Sequence, residues 1–456
     1  MKKLRFISII ILGISLTYSQ RVIGYYPQWV QGSFTPDKID YSVITHVLHS
    51  FAWPDEEGNI LHYDNMLSQS INNTVHENGA KILLVFGGWG QSWGFPSTVS
   101  TPEIRAVFIN NIIDICETYG YDGIDIDWEQ PVNSIEKNNL TSFITELREA
   151  FDATHPEWII SMAIPVSNWS GQHYDFTQLK QSVDFFNAMT YDIHGSWTSH
   201  AGHNSPLYPS PPGDPEGSVS TGIDYLVNTR GIESSKINVG IPFYGKEYNA
   251  SDINQSFTGS DVARLYNEYH GLINNGWEYV WDSDGQVPYL KSDTQNKIIT
   301  IDDSLSVSKK SSYAISNNLG GLMIWALGYD YVDGDQKLIQ SMKYNYLGVS
   351  TGLNPHKYSI DIVNYPNPFN SQTNFKYDLT IDTDVSLVIY DLKGSVIKTL
   401  VSEYQMSGPR IVAWNGTTDS GKIISAGVYL YRFNYGQRSQ TKKNDFSQII
   451  TFQPQL

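Results

Sequence analysis

Cysteine is nearly absent from this chain, which has 456 residues and one cysteine, Cys116. A single cysteine excludes an intrachain disulfide and a metal site built from cysteine thiolates. Isoleucines at positions 112, 113 and 115 surround it, a setting typical of a small core side chain rather than of a nucleophile. The sequence therefore predicts a fold that depends on its packed core and not on cross-links.

Positive charge is also scarce, with 30 Lys and Arg against 47 Asp and Glu and a formal net charge of −17. Neutralising phosphates requires Lys and Arg, so nucleic acid is excluded as a partner. An uncharged or weakly cationic ligand is compatible with the charge. An acidic excess that serves only solubility is an equal alternative.

Long hydrophobic runs are missing except for a short one at the N-terminus. Residues 6–16 are apolar, follow a basic start, and precede small residues at 17 and 19. This pattern is typical of a signal peptide over residues 1–19, and the run is too short to span a bilayer. The sequence thus predicts a secreted protein that has no membrane span and is a monomer.

Short apolar runs rich in β-branched residues alternate with longer amphipathic stretches. The runs cover residues 22–29, 44–53, 81–88, 123–129, 159–165, 185–192, 237–245 and 321–327. Helical patterns lie between several of them, at 102–119, 134–155, 221–230, 304–317 and 336–346. Eight repeats of strand and helix predict an α/β fold, a (β/α)8 TIM barrel over residues 20–346. A doubly wound open sheet is the alternative, although no Gly-rich phosphate loop supports it.

The regions outside this repeat predict two further units. Residues 246–301 are too many for one helix, so we expect a small α+β insertion between strands 7 and 8, lining a cleft at the C-terminal face of the barrel. Residues 347–358 are rich in Gly, Ser, Thr and Pro and predict a linker. Residues 359–456 show alternating strand patterns with turn signals, which predict a small all-β immunoglobulin-like sandwich.

The segment YDGIDIDWE at residues 121–129 carries the chemistry. Alternate side chains of a strand face opposite ways, so Asp125, Asp127 and Glu129 face the barrel interior, while Trp128 and the isoleucines face the outer helices. Charged groups are normally excluded from such an interior. Three consecutive inward carboxylates therefore indicate a functional site.

Glu129 is the last of these carboxylates, at the strand end where barrel active sites lie. Asp127 is roughly 6–7 Å behind it along the strand. Two carboxylates that close cannot both ionise comfortably, so one keeps its proton, and we assign the proton donor to Glu129. A calcium or magnesium site and a purely structural carboxylate network are the alternatives, although the spacing does not match a calcium loop.

The spacing Asp-x-x-Asp-x-Asp-x-Glu at 122, 125, 127 and 129 resembles the signature of glycoside hydrolase family 18. Supporting segments follow in order at residues 22–26, 86–89, 189–197, 240–245 and 320–325. The resemblance extends over residues 22–345. It implies a chitinase that cleaves β-1,4-linked N-acetylglucosamine polymers with retention of configuration.

The resemblance also implies roles for individual residues. Glu129 protonates the glycosidic oxygen, and the substrate's own acetamido oxygen attacks the anomeric carbon to form an oxazolinium ion. Asp127 orients the acetamido N–H, and Asp125 with Tyr25 supports the charge on Asp127. Tyr191 donates to the acetamido oxygen.

Further residues are implied to bind the sugars, with Trp325 as the floor of the reacting subsite: Tyr25, Phe51, Gly88, Trp89, Gln130, Met189, Asp192, Trp197, Tyr244 and Trp325. The implied ligand is chitin or an N-acetylglucosamine oligosaccharide. Neither a cofactor nor a metal is implied.

Four positions depart from the common family pattern. Val85 replaces a serine whose hydroxyl would support Asp125, and Gln130 replaces an aromatic residue after the catalytic glutamate. Lys246 replaces an arginine, and Gly328 replaces an acidic residue. We expect these departures to affect the pH optimum and subsite affinity rather than the reaction class.

Two other functions share this barrel. An endo-β-N-acetylglucosaminidase acting on N-glycans or peptidoglycan would carry the same carboxylates. A non-catalytic chitin-binding protein would lack the terminal glutamate, which is present here as Glu129.

The C-terminal region has a resemblance of its own. The segments at 365–370, 390–394, 414–416 and 425–429 resemble the C-terminal sorting domains of type IX secretion cargo. This implies export across an outer membrane, with the secretion machinery as a partner. A carbohydrate-binding sandwich is the alternative.

Overall fold

The structure, a computed structural model, describes residues 20–273, 275–346, 362–367, 369, 372–379, 383–406, 408–435 and 438–446. The predicted signal peptide (1–19) and linker (347–358) lie outside the described residues, so both stay predictions. No helix in the described part of the chain is both long and apolar enough to cross a membrane.

Eight parallel strands form a closed barrel: β1 (Arg21–Pro27), β2 (His46–Pro54), β3 (Lys81–Gly87), β4 (Gly123–Asp127), β5 (Ile159–Ile164), β6 (Phe185–Ala188), β7 (Ile237–Pro242) and β8 (Gly321–Trp325). Each strand pairs with the next, and β8 pairs with β1 to close the sheet. A short strand, Ile60–His62, adds antiparallel to β2. The predicted (β/α)8 barrel is confirmed, and the open-sheet alternative is wrong.

Helices follow most of the strands and cover the outside of the barrel. Their bounds are Gln69–Glu77, Phe95–Thr98, Pro102–Tyr119, Ser134–Thr154, Asn168–Gly171, Phe176–Ser182, Val219–Asp224, Ser304–Ser316 and Lys337–Tyr346. Shorter helical turns cover Gln28–Val30, Pro36–Lys38, Tyr225–Thr229, Ser234–Lys236 and His270–Leu272.

Local sequence explains where the first long helix begins and ends. The Thr101 side chain accepts a hydrogen bond from the Ile104 backbone N–H, and Pro102 occupies the first helical position. Gly120 then takes a left-handed conformation, with φ 75°, and ends the helix. This helix returns the chain to the start of β4, the strand that carries the carboxylates.

The packing around β4 separates apolar from charged faces. Ile124 and Ile126 are fully buried, and Trp128 stacks on Phe95 with ring centroids 5.2 Å apart. Cys116 is also buried, and burial raises the pKa of its thiol. The prediction that Trp128 and Cys116 belong to the core is confirmed.

The predicted insertion is present between β7 and β8. It contains five antiparallel strands and one short helix: Tyr244–Asn249, Thr258–Leu265, Glu278–Asp282, Val287–Ser292, Lys297–Thr300 and Tyr266–Tyr269. Its first strand starts two residues after β7 ends, so it rises directly from the C-terminal face of the barrel. A two-stranded ribbon, Tyr331–Val332 with Asp335–Gln336, follows β8.

The C-terminal module consists of two antiparallel sheets, as predicted for an immunoglobulin-like sandwich. One contains Val363–Tyr365, Thr373–Leu379 and Gly408–Trp414; the other contains Thr383–Tyr390, Val396–Gln405, Gly427–Tyr435 and Arg438–Phe446. Phe375, Leu387, Trp414, Tyr431 and Phe433 are almost fully buried in its core. The strand alternation over this region therefore buries one face of each sheet.

Candidate active site

The three carboxylates of β4 and its end become more accessible toward the C-terminal face. Asp125 is fully buried, Asp127 is 5% exposed, and Glu129 lies two residues beyond the strand and is partly exposed. The chain thus places an accessible carboxyl at the mouth of the barrel with two buried ones behind it.

Asp125 is held by three hydrogen-bond donors. The Tyr25 hydroxyl donates to one carboxylate oxygen at 2.7 Å, while the Ser161 hydroxyl (2.5 Å) and the Asn187 amide (3.0 Å) donate to the other. Asn238 donates to Asn187 in turn, at 3.0 Å. Burial raises the pKa of Asp125 to about 6, although these donors lower it.

Ser161 corrects one expectation from the sequence. Val85 and Ser161 are the two residues directly beside Asp125 in the flanking strands, β3 and β5. The loss of a serine at position 85 therefore does not leave Asp125 without a serine hydroxyl, because Ser161 supplies it from the other side. Ser161 and Asn187 lie at inward positions of predicted strands, which is the signal that could have identified them.

Asp127 has an acceptor atom without a donor. None of the described residues donates a hydrogen bond to its buried Oδ1. Burial raises the pKa of Asp127 well above its usual value, and the charges of Glu129 and Asp125 raise it further. A buried carboxyl in this state is suited to hold a proton or to accept a ligand N–H.

Glu129 is the group at this site whose properties match a general acid. Burial, followed by the negative charge of Asp192, raises the pKa of Glu129 to about 7. Its backbone N–H donates to the Ser92 hydroxyl at 3.0 Å, which positions the end of the strand. A carboxyl with this pKa keeps its proton near neutral pH and can donate it to a leaving group.

Asp192 is held by Lys246 of the insertion. The Lys246 ammonium lies 2.8 Å from an Asp192 carboxylate oxygen and 4.3 Å above the centre of the Trp197 ring. Lys246 is 4% exposed, so its charge is fixed between these two partners. The lysine at this departure from the family pattern thus still pairs with Asp192 across 54 residues of sequence.

A cluster of aromatic rings lies beside the carboxylates. Trp325 at the end of β8 contacts Tyr25, Phe51 and Trp29, with ring centroids 5.3, 5.8 and 6.4 Å apart. Trp29 is 49% exposed and was not identified from the sequence. Its position in a short helical turn just after β1 gives it access to the same face.

Other predicted sugar-binding residues surround this cluster. Gly88 has φ +90°, and a Cβ there would come within 2.7 Å of the Phe51 ring, so only glycine fits. Tyr191 packs edge-on against Tyr244 at 6.2 Å, and its pKa is raised by burial and then by the charges of Asp127 and Glu129.

The remaining predicted residues differ in exposure. Trp89 and Trp197 are 83% and 64% exposed. Met189 and Gln130 are partly buried, next to Tyr191 and Glu129 respectively in sequence.

We expect Asp192→Asn to lower the pKa of Glu129 by about half a unit to one unit, because it removes a negative charge that favours the protonated form. A ¹³C NMR titration of labelled glutamate, with Glu129 identified by its loss in Glu129→Gln, measures this. Asp114→Asn, on an exposed helical position, is the control and leaves the titration unchanged. A pKa of Glu129 unchanged in Asp192→Asn would contradict the role of this charge.

Exposed tryptophan faces provide surfaces for stacking on sugar rings, and glycosidases use a carboxylic acid with a raised pKa to protonate the leaving oxygen. The fold and the site therefore define a (β/α)8-barrel protein of the glycosidase class. The comparison with family models is more specific: residues 21–330 match Glycosyl hydrolases family 18, and the chain belongs to this family. Residues 367–438 match the FlgD Ig-like domain.

Relatives include "Probable endochitinase" of Caenorhabditis elegans, 31% identical over 349 residues that cover 67% of this chain and 55% of that protein. "Chitotriosidase-1" of Mus musculus is 29% identical, with 69% of this chain and 74% of that protein covered. The chain spans 15% of the length of another relative, "Probable chitinase 10" of Drosophila melanogaster.

Solved structures show the same barrel. The Group IV chitinase of Ostrinia furnacalis in complex with allosamidin has a TM-score of 0.66 and 27% identity, with 71% of this chain and 98% of that chain covered. Human YKL-39, described as a pseudo-chitinase that retains chitooligosaccharide binding, has a TM-score of 0.65 and 28% identity, with 72% and 99% covered. The barrel is thus shared by hydrolases and by binding proteins.

Proposed function

We propose that this protein is a chitinase that hydrolyses β-1,4 bonds between N-acetylglucosamine units with retention. The observation that carries the proposal is the pair formed by Glu129 and Asp127. Glu129 has a pKa of about 7, and Asp127 has a buried oxygen to which none of the described residues donates. An acetamido N–H is the donor that this oxygen would accept.

Glu129 acts as the general acid, and its proton goes to the glycosidic oxygen as the bond to the anomeric carbon breaks. The acetamido oxygen of the same sugar forms the new bond to that carbon, giving an oxazolinium ion. Asp127 accepts the acetamido N–H and stabilises the positive charge, while Tyr191 orients the acetamido oxygen. Water, deprotonated by Glu129, then opens the ring on the same face.

The buried residues behind Asp127 support this step. Tyr25, Ser161 and Asn187 stabilise the charged form of Asp125, and a charge on Asp125 raises the pKa of Asp127. The two aspartates and Glu129 therefore share protons as one set rather than as independent groups. Such coupling lets Asp127 take up charge when the oxazolinium forms.

The alternatives differ in substrate or in catalysis. An endo-β-N-acetylglucosaminidase would use the same residues on N-glycans or peptidoglycan. A non-catalytic binding protein would use only the aromatic surface, as the description of YKL-39 illustrates. The retained Glu129 and its raised pKa favour catalysis.

The test is release of soluble N-acetylglucosamine oligomers from colloidal chitin by residues 20–456, with the anomer of the product followed by NMR. Release of the β-anomer first is the expected result. Cleavage of glycoprotein N-glycans without action on chitin would move the assignment to the endo-β-N-acetylglucosaminidase. Chitin binding without any hydrolysis would support the binding protein.

We also propose that residues 1–19 direct export and that the C-terminal module acts as a type IX sorting domain. In a host that has this secretion system, deletion of residues 359–456 is expected to leave the protein in the periplasm, whereas the full chain reaches the medium or the cell surface. Normal export of the truncated chain, together with weaker binding to insoluble chitin, would instead support the carbohydrate-binding alternative.

A further inference from the structure

Two histidines and an aspartate converge in the loop that follows β6. His194 Nε2 and His200 Nε2 each lie 3.1 Å from the same carboxylate oxygen, Oδ2 of Asp214. One ligand atom from each residue can be chosen so that all three lie within 4.8 Å of one another. None of the three belongs to the carboxylate set of β4.

The hydrogen bonds around His194 determine which of its nitrogens carries hydrogen. Nδ1 lies 2.9 Å from the backbone carbonyl oxygen of His203, which can only accept, so Nδ1 is the donor. In the neutral ring Nε2 is then a lone pair, and it faces an acceptor oxygen of Asp214 at a fully buried position. Two acceptors in contact require a cation between them.

The surroundings hold these groups in place. A Cβ at Gly202 would lie 2.1 Å from Cδ2 of the His194 ring, so the glycine backbone packs directly against the imidazole. The other carboxylate oxygen of Asp214 accepts from the Glu216 backbone N–H at 3.0 Å. Imidazoles that bind a metal commonly donate their second N–H to a backbone carbonyl, as His194 does.

We propose that His194, His200 and Asp214 form a binding site for a divalent transition ion of the zinc type. Two imidazole nitrogens and one carboxylate oxygen are a common ligand set for zinc, with bond lengths of about 2.0–2.2 Å. Two such bonds span at most about 4.4 Å, so the widest pair of ligand atoms closes slightly on binding. The His200 side chain is 19% exposed and is the member that can move.

The ion would hold the loop that presents part of the active-site surface. Trp197 lies between the two histidines in sequence, and Asp192 precedes His194 by two residues. Both residues contact Lys246 of the insertion. A metal here would therefore restrict the loop that carries them without touching the β4 carboxylates, and its binding can be measured independently of any hydrolytic activity.

The test uses tag-free protein, residues 20–456, treated with EDTA and dialysed. Titration with ZnCl₂ in a calorimeter is expected to show one ion per chain with a micromolar or lower Kd. Co²⁺ is expected to give visible absorption bands typical of nitrogen and oxygen ligands. Saturating Zn²⁺ raises the Tm by a few degrees, because the ion binds the folded state.

His200→Ala removes the partly exposed ligand and is expected to weaken Zn²⁺ binding at least about 100-fold, with an unchanged circular dichroism spectrum. His76→Ala is the matched control, because His76 also pairs with a carboxylate, Asp122 at 2.8 Å, but lies outside the cluster. It retains full Zn²⁺ binding. Absence of one-to-one binding, or equal binding by His200→Ala, overturns the proposal and indicates a proton between His194 and Asp214 instead.

Discussion

Glu129→Gln is expected to lower kcat on N-acetylglucosamine oligomers by roughly 10²–10⁴-fold, the usual contribution of general acid catalysis. Glutamine has nearly the same shape but carries no transferable proton. The pKa of about 7 in the wild type means that the acid is largely protonated below neutral pH, where the loss should be greatest. Initial rates of oligomer cleavage followed by chromatography measure the effect.

Binding should survive this substitution. The sugar surface around Trp325, Phe51 and Trp29 does not depend on the proton of Glu129. We therefore expect the Kd for a tetramer, measured by calorimetry, to stay within about threefold of the wild type. Glu149→Gln, on an exposed helical position, is the control for loss of a glutamate and retains full activity. Substantial hydrolysis by Glu129→Gln would show that another group supplies the proton.

Removal of the acetamido group from the substrate is expected to abolish hydrolysis, with rates at least about 10³-fold lower for tetramers of β-1,4-linked glucosamine or glucose. A nucleophile within the substrate has an effective concentration of about 10⁵ M or more, and nothing replaces it when the acetamide is missing. Parallel assays of the three tetramers at equal concentration measure the ratio.

Asp192 is the group that could undermine this prediction. It interacts electrostatically with Glu129, and a second carboxylate across the bond is the nucleophile of conventional retaining glycosidases. Its ion pair with Lys246 at 2.8 Å fits a role in binding and charge balance instead. We expect Asp192→Asn to keep measurable activity, above that of Glu129→Gln, on the acetylated tetramer. Activity of the wild type on the glucose tetramer, lost in Asp192→Asn, would assign the nucleophile to Asp192.

Several features of the site were accessible from sequence. The alternation of charged and apolar residues over 123–129 predicted which side chains of β4 face inward, and burial of Ile124, Ile126 and Trp128 on the other face agrees with it. The eight apolar runs each correspond to a barrel strand. Their ends were less accurate: β6 stops at Ala188 rather than near 192, because Asp192, with φ +54°, already belongs to the loop.

The partners of the carboxylates could not be read in this way. Ser161 and Asn187 were visible as inward residues, but many inward residues are available along eight strands. Ser92 lies in a loop with no pattern that connects it to Glu129. His200 and Asp214 are separated by turns whose geometry brings them together.

The sequence by itself determined the barrel, the inward row of Asp125, Asp127 and Glu129, and the family, because strand periodicity and local spacing are properties of short segments. Only the tertiary structure decided that Ser161 rather than residue 85 supplies a hydroxyl to Asp125, that Lys246 pairs with Asp192, and that Asp127 keeps an acceptor without a donor. These facts depend on the register between strands and on burial, and neither is encoded within a single strand.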